Sequence, residues 1–137
     1  MNDSYFYDCM NFGDLPPEGI QENYKLMKIK QLVDDAIVGY FDLYYGYPDP
    51  NTVWISIFVI DKQYRTAGLG RKVVRSIFKE LSICKWKKMG VGVYLKNWSA
   101  LRFWISLGFD KVLGIYGDKQ YSSETFSLIG LQKFLAK

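Results

Sequence analysis

The chain is 137 residues long with a formal net charge of +4, and 49% of its residues are hydrophobic against 23% charged. That is the composition of one ordinary globular domain, 1–137, long enough to bury a core, and no run of about eighteen apolar residues marks a membrane span. There is no histidine, and Cys9 and Cys84 stand single and far apart, which argues against a zinc site or disulfide scaffold and fits a reducing cytoplasm.

The opening "MNDSYFYDCMNFGD" lacks a basic stretch followed by an apolar one, so no secretory signal is expected. Residues 1–23 show no sustained period, and "DLPPEG" (14–19) reads as a turn or loop from its Pro and Gly content. "YKLMKIK" (24–30) alternates polar and apolar residues, the pattern of a half-buried strand. "QLVDDA" then connects a hairpin whose second strand is "IVGYFDLYY" (37–45). After the turn "GYPDPN" (46–51), an apolar strand occupies 52–60 and completes an antiparallel meander.

From Gly68 the period changes. Val73, Val74, Ile77, Phe78 and Leu81 share one helical face, with Arg71, Lys72, Arg75, Lys79 and Glu80 on the other. This predicts an amphipathic helix of about four turns packed on the sheet. "VGVYL" (91–95) is another buried strand. Asn97 is a good N-cap for "WSALRFWISL", and Gly108 a good C-cap beyond it. "KVLGIYG" and "TFSLIGLQKF" are two final strands. The order βββαβαββ predicts an α/β fold, a mixed and mainly antiparallel central sheet with both helices as crossovers.

The junction "YRTAGLGRKVV" (64–74) carries the chemistry. A nucleotide P-loop would need Lys-Ser or Lys-Thr after the glycines, which is missing. A dinucleotide fingerprint would need a third glycine where Val73 stands, and the upstream strands read as hairpins. A tight turn that needs glycine for its conformation alone is a third reading. Arg65, Gly68 and Gly70 nevertheless give R-x-x-G-x-G across a strand end and a helix start. Unpaired N–H donors in the first turn, with Arg71 and Lys72 beside them, suit a pyrophosphate.

With its context this stretch resembles the GNAT family of N-acetyltransferases. "FVIDKQYRTAGLGRKVV" is similar to the family's acetyl-CoA motif, and "NWSALRFWISLGFDKV" to its second motif, N-x-x-A-x-x-F-Y/W-x-x-x-G-F; together with the intervening strand they cover 52–112. The resemblance implies that Phe58, Val59 and Ile60 pair with the pantetheine arm. It implies that Arg65 binds the cofactor and that Thr66, Ala67, Gly68, Leu69, Gly70 and Arg71 surround the pyrophosphate. It also implies that strand 52–60 splays from "VGVYL", so that the thioester enters between them. Asn97 stands where the family's Asn contacts the cofactor arm, and equally where a helix needs its cap.

Trp104 takes the place of the Tyr that many members use as acid; an indole N–H is a poor acid, so Trp104 is expected to wall the acyl tunnel or to be core. Neither 52–60 nor 91–95 holds a carboxylate, and Gly92 fills one position where some members place a Glu. Asp42, among tyrosines, could bind or deprotonate an amine, or simply be solvated beside its hairpin. No catalytic residue is assigned. The family usually begins with a strand and one or two helices before the first hairpin, more chain than "MNDSYFYDCMNFGDLPPEGIQEN" offers. Edge strand 24–30 would then need a cover, which "SYFYD" (4–8) could supply by folding back or by reaching a second subunit, and a homodimer with this region at or near its contact is expected.

The implied function is N-acetyl transfer from acetyl-CoA, as cosubstrate, to a small-molecule or peptide amine. The amine attacks the thioester directly in a ternary complex, which needs no obligatory base. A catalytically weak acyl-CoA-binding module is the alternative. The positive charge also permits a nucleic-acid binder, but "CKWKKM" is one short cluster that reads as a solvated connection. Neither nucleic acid nor membrane is expected as a partner, and no metal as a cofactor.

Overall fold

In the computed structural model, which describes residues 15, 16, 18–117 and 127–135, the alternating segment forms β1 (Tyr24–Lys30), paired antiparallel with β2 (Ile37–Tyr45). The connection closes because Gln31 N–H donates to the Ala36 carbonyl at 2.8 Å. Asp34 accepts the Ala36 N–H at 3.0 Å, and Asp35 adopts the left-handed conformation open to short polar residues. At the next turn Asp49 accepts the Asn51 N–H and the Thr52 hydroxyl, at 2.8 and 2.9 Å, before the chain enters β3 (Thr52–Ile55).

The expected strand 52–60 is two strands. β3 pairs with β2 and, in parallel, with β5 (Lys88–Tyr94), whereas β4 (Phe58–Ile60) pairs with β2. Ser56 and Ile57 separate them. The full order is β1-β2-β3-β5-β7-β6, with β6 at Lys111–Gly117 and β7 at Ser127–Phe134. All neighbours are antiparallel except β3 and β5. The expected meander and mixed sheet are therefore present. β5 starts three residues earlier than the apolar run, because Lys88 and Met89 already pair with Thr52 and Val53.

Helix α1 (Leu69–Ile83) crosses from β4 to β5, and α2 (Trp98–Ser106) from β5 to β6. Val74, Ile77 and Leu81 of α1 join Leu101 and Trp104 of α2, with Val53, Ile55, Met89, Val91 and Leu131 of the sheet, in one buried core. Both helices end in the same motif. Gly108 (φ 99°) follows α2, and the Phe109 N–H returns to the Trp104 carbonyl at 3.2 Å. After α1 the left-handed residue is Lys85 (φ 69°), and the Trp86 N–H returns to the Leu81 carbonyl at 3.0 Å. On the opposite sheet face the Trp54 ring lies against Gly90 and Gly92, where a Cβ would crowd it, and a Cβ at Gly130 would crowd the Tyr116 ring.

β1 stands at the end of the strand order with Lys25, Lys28 and Lys30 exposed, but the expected cover at 4–8 and its dimer contact lie outside the described residues. No helix among the described residues is long and apolar enough to cross a membrane.

Candidate functional site

The break between β3 and β4 is held by a carboxylate on the neighbouring strand. Asp42, in the middle of β2, is only 1% exposed. Its Oδ1 accepts the Ser56 N–H at 2.8 Å and the Ile57 N–H at 3.0 Å, and its Oδ2 accepts the hydroxyls of Ser56 and Tyr24. A bulge takes such N–H groups off the regular ladder, and buried N–H groups need acceptors. Burial pushes the Asp42 carboxyl above the ordinary value of 3.8, while the bonds from Ser56, Ile57 and Tyr24 pull the other way. The solvated aspartate considered from the sequence is thus corrected: the side chain sits inside the sheet, both oxygens engaged.

The bulge opens the sheet. The β3–β5 ladder ends at Ile55 opposite Val91; beyond it β4 pairs with β2, and Gly92, Val93 and Tyr94 of β5 pair with β7. Asp42 N–H donates to the Ile57 carbonyl at 3.1 Å, and Asp61 N–H to the Val38 carbonyl at 2.7 Å. Residues 57 and 61 therefore bond back to β2, as does Val59 by alternation. Phe58 and Ile60 turn their backbone groups the other way, into the gap. Of the three β4 residues singled out in the sequence, two present N–H groups there.

β4 runs into a 3-10 turn, Lys62–Ala67, capped by the Asp61 side chain, which accepts the Gln63 N–H at 3.4 Å. Arg65 folds back so that its Nε donates to the Ile60 carbonyl at 2.7 Å. Gly68 then takes φ 70°, ψ 18° and starts α1 with no side-chain cap. A Cβ at Gly68 would meet nothing within 4 Å, so this glycine is required by its conformation and leaves open space at the helix start. Phe58, Ile60, Arg65, Gly68, Gly70 and Arg71 line one cavity of about 280 Å³, together with Phe103. Leu69 packs instead against the core.

Phe103 belongs to the second motif, but the sequence reading gave it no role. It stacks on Phe58 at 6.0 Å between ring centroids and carries the Arg71 guanidinium over its face at 6.0 Å. Arg71 Nη2 also donates to Ser106 Oγ at 2.6 Å, tying α1 to the end of α2. Trp104 does not line this cavity. It is 5% exposed and packs edge-on against Phe58, Phe103 and Phe109. Asn97 caps α2, accepting the Ala100 N–H at 3.1 Å. With Tyr94, Lys96 and Ser127 it lines a separate cavity of about 630 Å³ past the end of β5.

Residues 14–109 match the family model described as the acetyltransferase (GNAT) family. Among curated proteins the chain is 30% identical over 79 residues to the spermine/spermidine N(1)-acetyltransferase of Bacillus subtilis (strain 168), an alignment covering 57% of this chain and 52% of that protein. The chain thus spans about half the length of the curated relatives it matches. Among solved structures, the ribosomal-protein-S18-alanine N-acetyltransferase from Escherichia coli is similar with a TM-score of 0.72 at 15% identity, covering 100% of this chain and 79% of that one. A GNAT family acetyltransferase from Elizabethkingia anophelis, solved with acetyl-CoA bound, is similar with a TM-score of 0.68 at 17% identity, covering 83% and 78%. These structural likenesses speak to the fold.

Proposed function

The chain belongs to the acetyltransferase (GNAT) family, and from that premise we propose that it transfers an acetyl group from acetyl-CoA to an amine acceptor. The observation that carries the reading is the gap between β4 and β5, bordered by outward N–H groups of Phe58 and Ile60 and leading to the uncapped start of α1. The residues present fit the cosubstrate. The first turn of α1 offers N–H donors and a partial positive charge to a pyrophosphate, with Arg65 and Arg71 beside it. The open side of Gly68 lets anionic oxygens approach the backbone. β4 supplies an edge along which an amide-bearing arm can pair.

Acetyl-CoA brings the activated acyl group. The chain's part is to orient it and to stabilise charge. An N–H of β4 donates to the thioester oxygen as the amine attacks, an interaction that strengthens as the oxygen becomes negative. The attacking nitrogen gives up a proton to water, the departing thiolate takes one from water, and binding both reactants together supplies much of the rate. Asn97 contacts the cosubstrate arm while keeping its cap. The acceptor is an amine; the Bacillus subtilis relative, named for spermine and spermidine, puts polyamines first in the screen, followed by peptide N-termini.

A second reading, an acyl-CoA-binding module with little turnover, is favoured by the engaged oxygens of Asp42 and the burial of Trp104. Free-thiol release from acetyl-CoA across a panel of amines decides between them. Amine-dependent release supports the transferase. Tight acetyl-CoA binding without release by any amine supports the module.

A further inference from the structure

Asp42 sits away from the gap, yet it decides how β4 faces it. We propose that Asp42 is a positioning residue for acyl transfer, fixing Ser56 and Ile57 in the bulge that turns the Phe58 N–H toward the thioester. This rests on the function proposed above. The geometry supports it at each bond. One carboxyl oxygen takes two successive backbone N–H groups, and the other takes two hydroxyls. The Asp42 N–H holds the Ile57 carbonyl, so side chain and backbone grip the same peptide from one strand.

Without an acceptor at this spot, the partly buried N–H groups of Ser56 and Ile57 lose their partners. β4 can recover them by removing the bulge and slipping one residue along β2. A one-residue slip reverses every residue of a strand. Phe58 would then turn its N–H toward β2, and Val59 would turn its N–H into the gap. The cavity would also lose the Phe58 ring that stacks on Phe103.

The test compares Asp42→Asn, Asp42→Ala and Ser56→Ala in the full chain, at a temperature where each is folded. Asparagine keeps an oxygen for the two N–H groups, and its NH₂ can donate to two hydroxyls that rotate to accept. Asp42→Asn is therefore expected to keep kcat and to rescue what alanine loses. Asp42→Ala is expected to lower kcat by about a hundredfold, the scale of a misplacement of about 1 Å, while the Kd for acetyl-CoA changes much less. Ser56→Ala removes one bond of the clamp and is expected to cost about fivefold in kcat, the equivalent of one hydrogen bond. It also keeps the test open if the alanine variant at 42 fails to fold.

Folded Asp42→Ala with the wild-type kcat would overturn the proposal, as would Ser56→Ala with no change should Asp42→Ala not fold. Loss of activity in Asp42→Asn as complete as in Asp42→Ala would also overturn it, by pointing to proton transfer. These outcomes leave amine-dependent thiol release by the wild type intact. Absence of that release from the wild type sinks the function itself, and the positioning role with it.

Discussion

Gly70 on α1 and Phe103 on α2 meet so closely that a Cβ on Gly70 would lie 3.3 Å from the ring. The glycine that the motif reserves for a ligand's approach is thus also where the two helices touch. Gly70→Val is expected to abolish acetyl-CoA binding. Valine is a slightly better helix former than glycine, but overpacking against Phe103 costs about 1–3 kcal/mol. Combining Gly70→Ala with Phe103→Leu should recover stability lost by Gly70→Ala alone. Thermal melts with and without acetyl-CoA measure both effects; unchanged binding in Gly70→Val would make the turn purely structural.

Acetyl-CoA itself should stabilise the fold. At one hundred times its Kd, a ligand specific for the native state adds about 2.7 kcal/mol. For a chain of this size that is a rise in Tm of roughly 8–11 °C. Pantetheine without its phosphates should give almost none, because it leaves the start of α1 unfilled. Equal shifts from the two compounds would count against a pyrophosphate site at Gly68.

The contrast between local and distant signals explains what was legible in the sequence. Asn97 and Gly108 sit at the ends of α2 as their types require, and Gly68 marks the start of α1. The break in strand 52–60 was hidden, because Ser56 is a single polar residue inside an apolar run and the partner of Ser56 and Ile57, Asp42, lies on another strand. Phe103 was visible as a motif position, but its place in the cavity depends on α1 and α2 packing together. The early start of β5 depends likewise on pairing with β3.

Lys85 offers a stabilising change at a site that no sequence pattern marks. It holds φ 69° in the same helix-ending motif that Gly108 completes for α2. A side chain in that conformation costs about 1 kcal/mol relative to glycine, partly offset by glycine's greater freedom when unfolded. Lys85→Gly should therefore raise stability by about 0.5 kcal/mol and leave acetyl-CoA binding unchanged. Urea melts check the first point, and a lower midpoint would show that the lysine side chain contributes more than its strain costs.

Asn97 carries two proposed roles, which different substitutions separate. Asn97→Ala removes the Oδ1 that accepts the Ala100 N–H and should cost about 1 kcal/mol. Asn97→Ser keeps a capping oxygen but removes the amide, so stability should change little while the KM for acetyl-CoA rises. Wild-type kinetics in Asn97→Ser would reduce Asn97 to a cap.

Asp42 and Asp49 should make stability depend on pH with opposite signs. At Asp49 the hydrogen bond from Lys88 holds the carboxyl below its ordinary 3.8. The folded state then binds its proton less readily than the unfolded chain, so this contribution is full above about pH 3.8 and is lost as pH falls through the folded value. Because the pair is partly exposed, with Asp49 at 37%, it is worth only about 0.2–1 kcal/mol. At Asp42 burial raises the carboxyl above 3.8, so the folded state holds its proton longer. Stability then declines as pH rises from 3.8 through the raised value and levels off beyond it. Asp49→Asn should accordingly match the wild type in strong acid and fall behind as pH rises toward 4. Asp42→Asn, which resembles the protonated side chain, should gain on the wild type as pH rises above 4. Chemical denaturation of the three proteins across the acid range measures the differences, and a pH-independent gap for Asp42→Asn would mean that Asp42 titrates alike in both states.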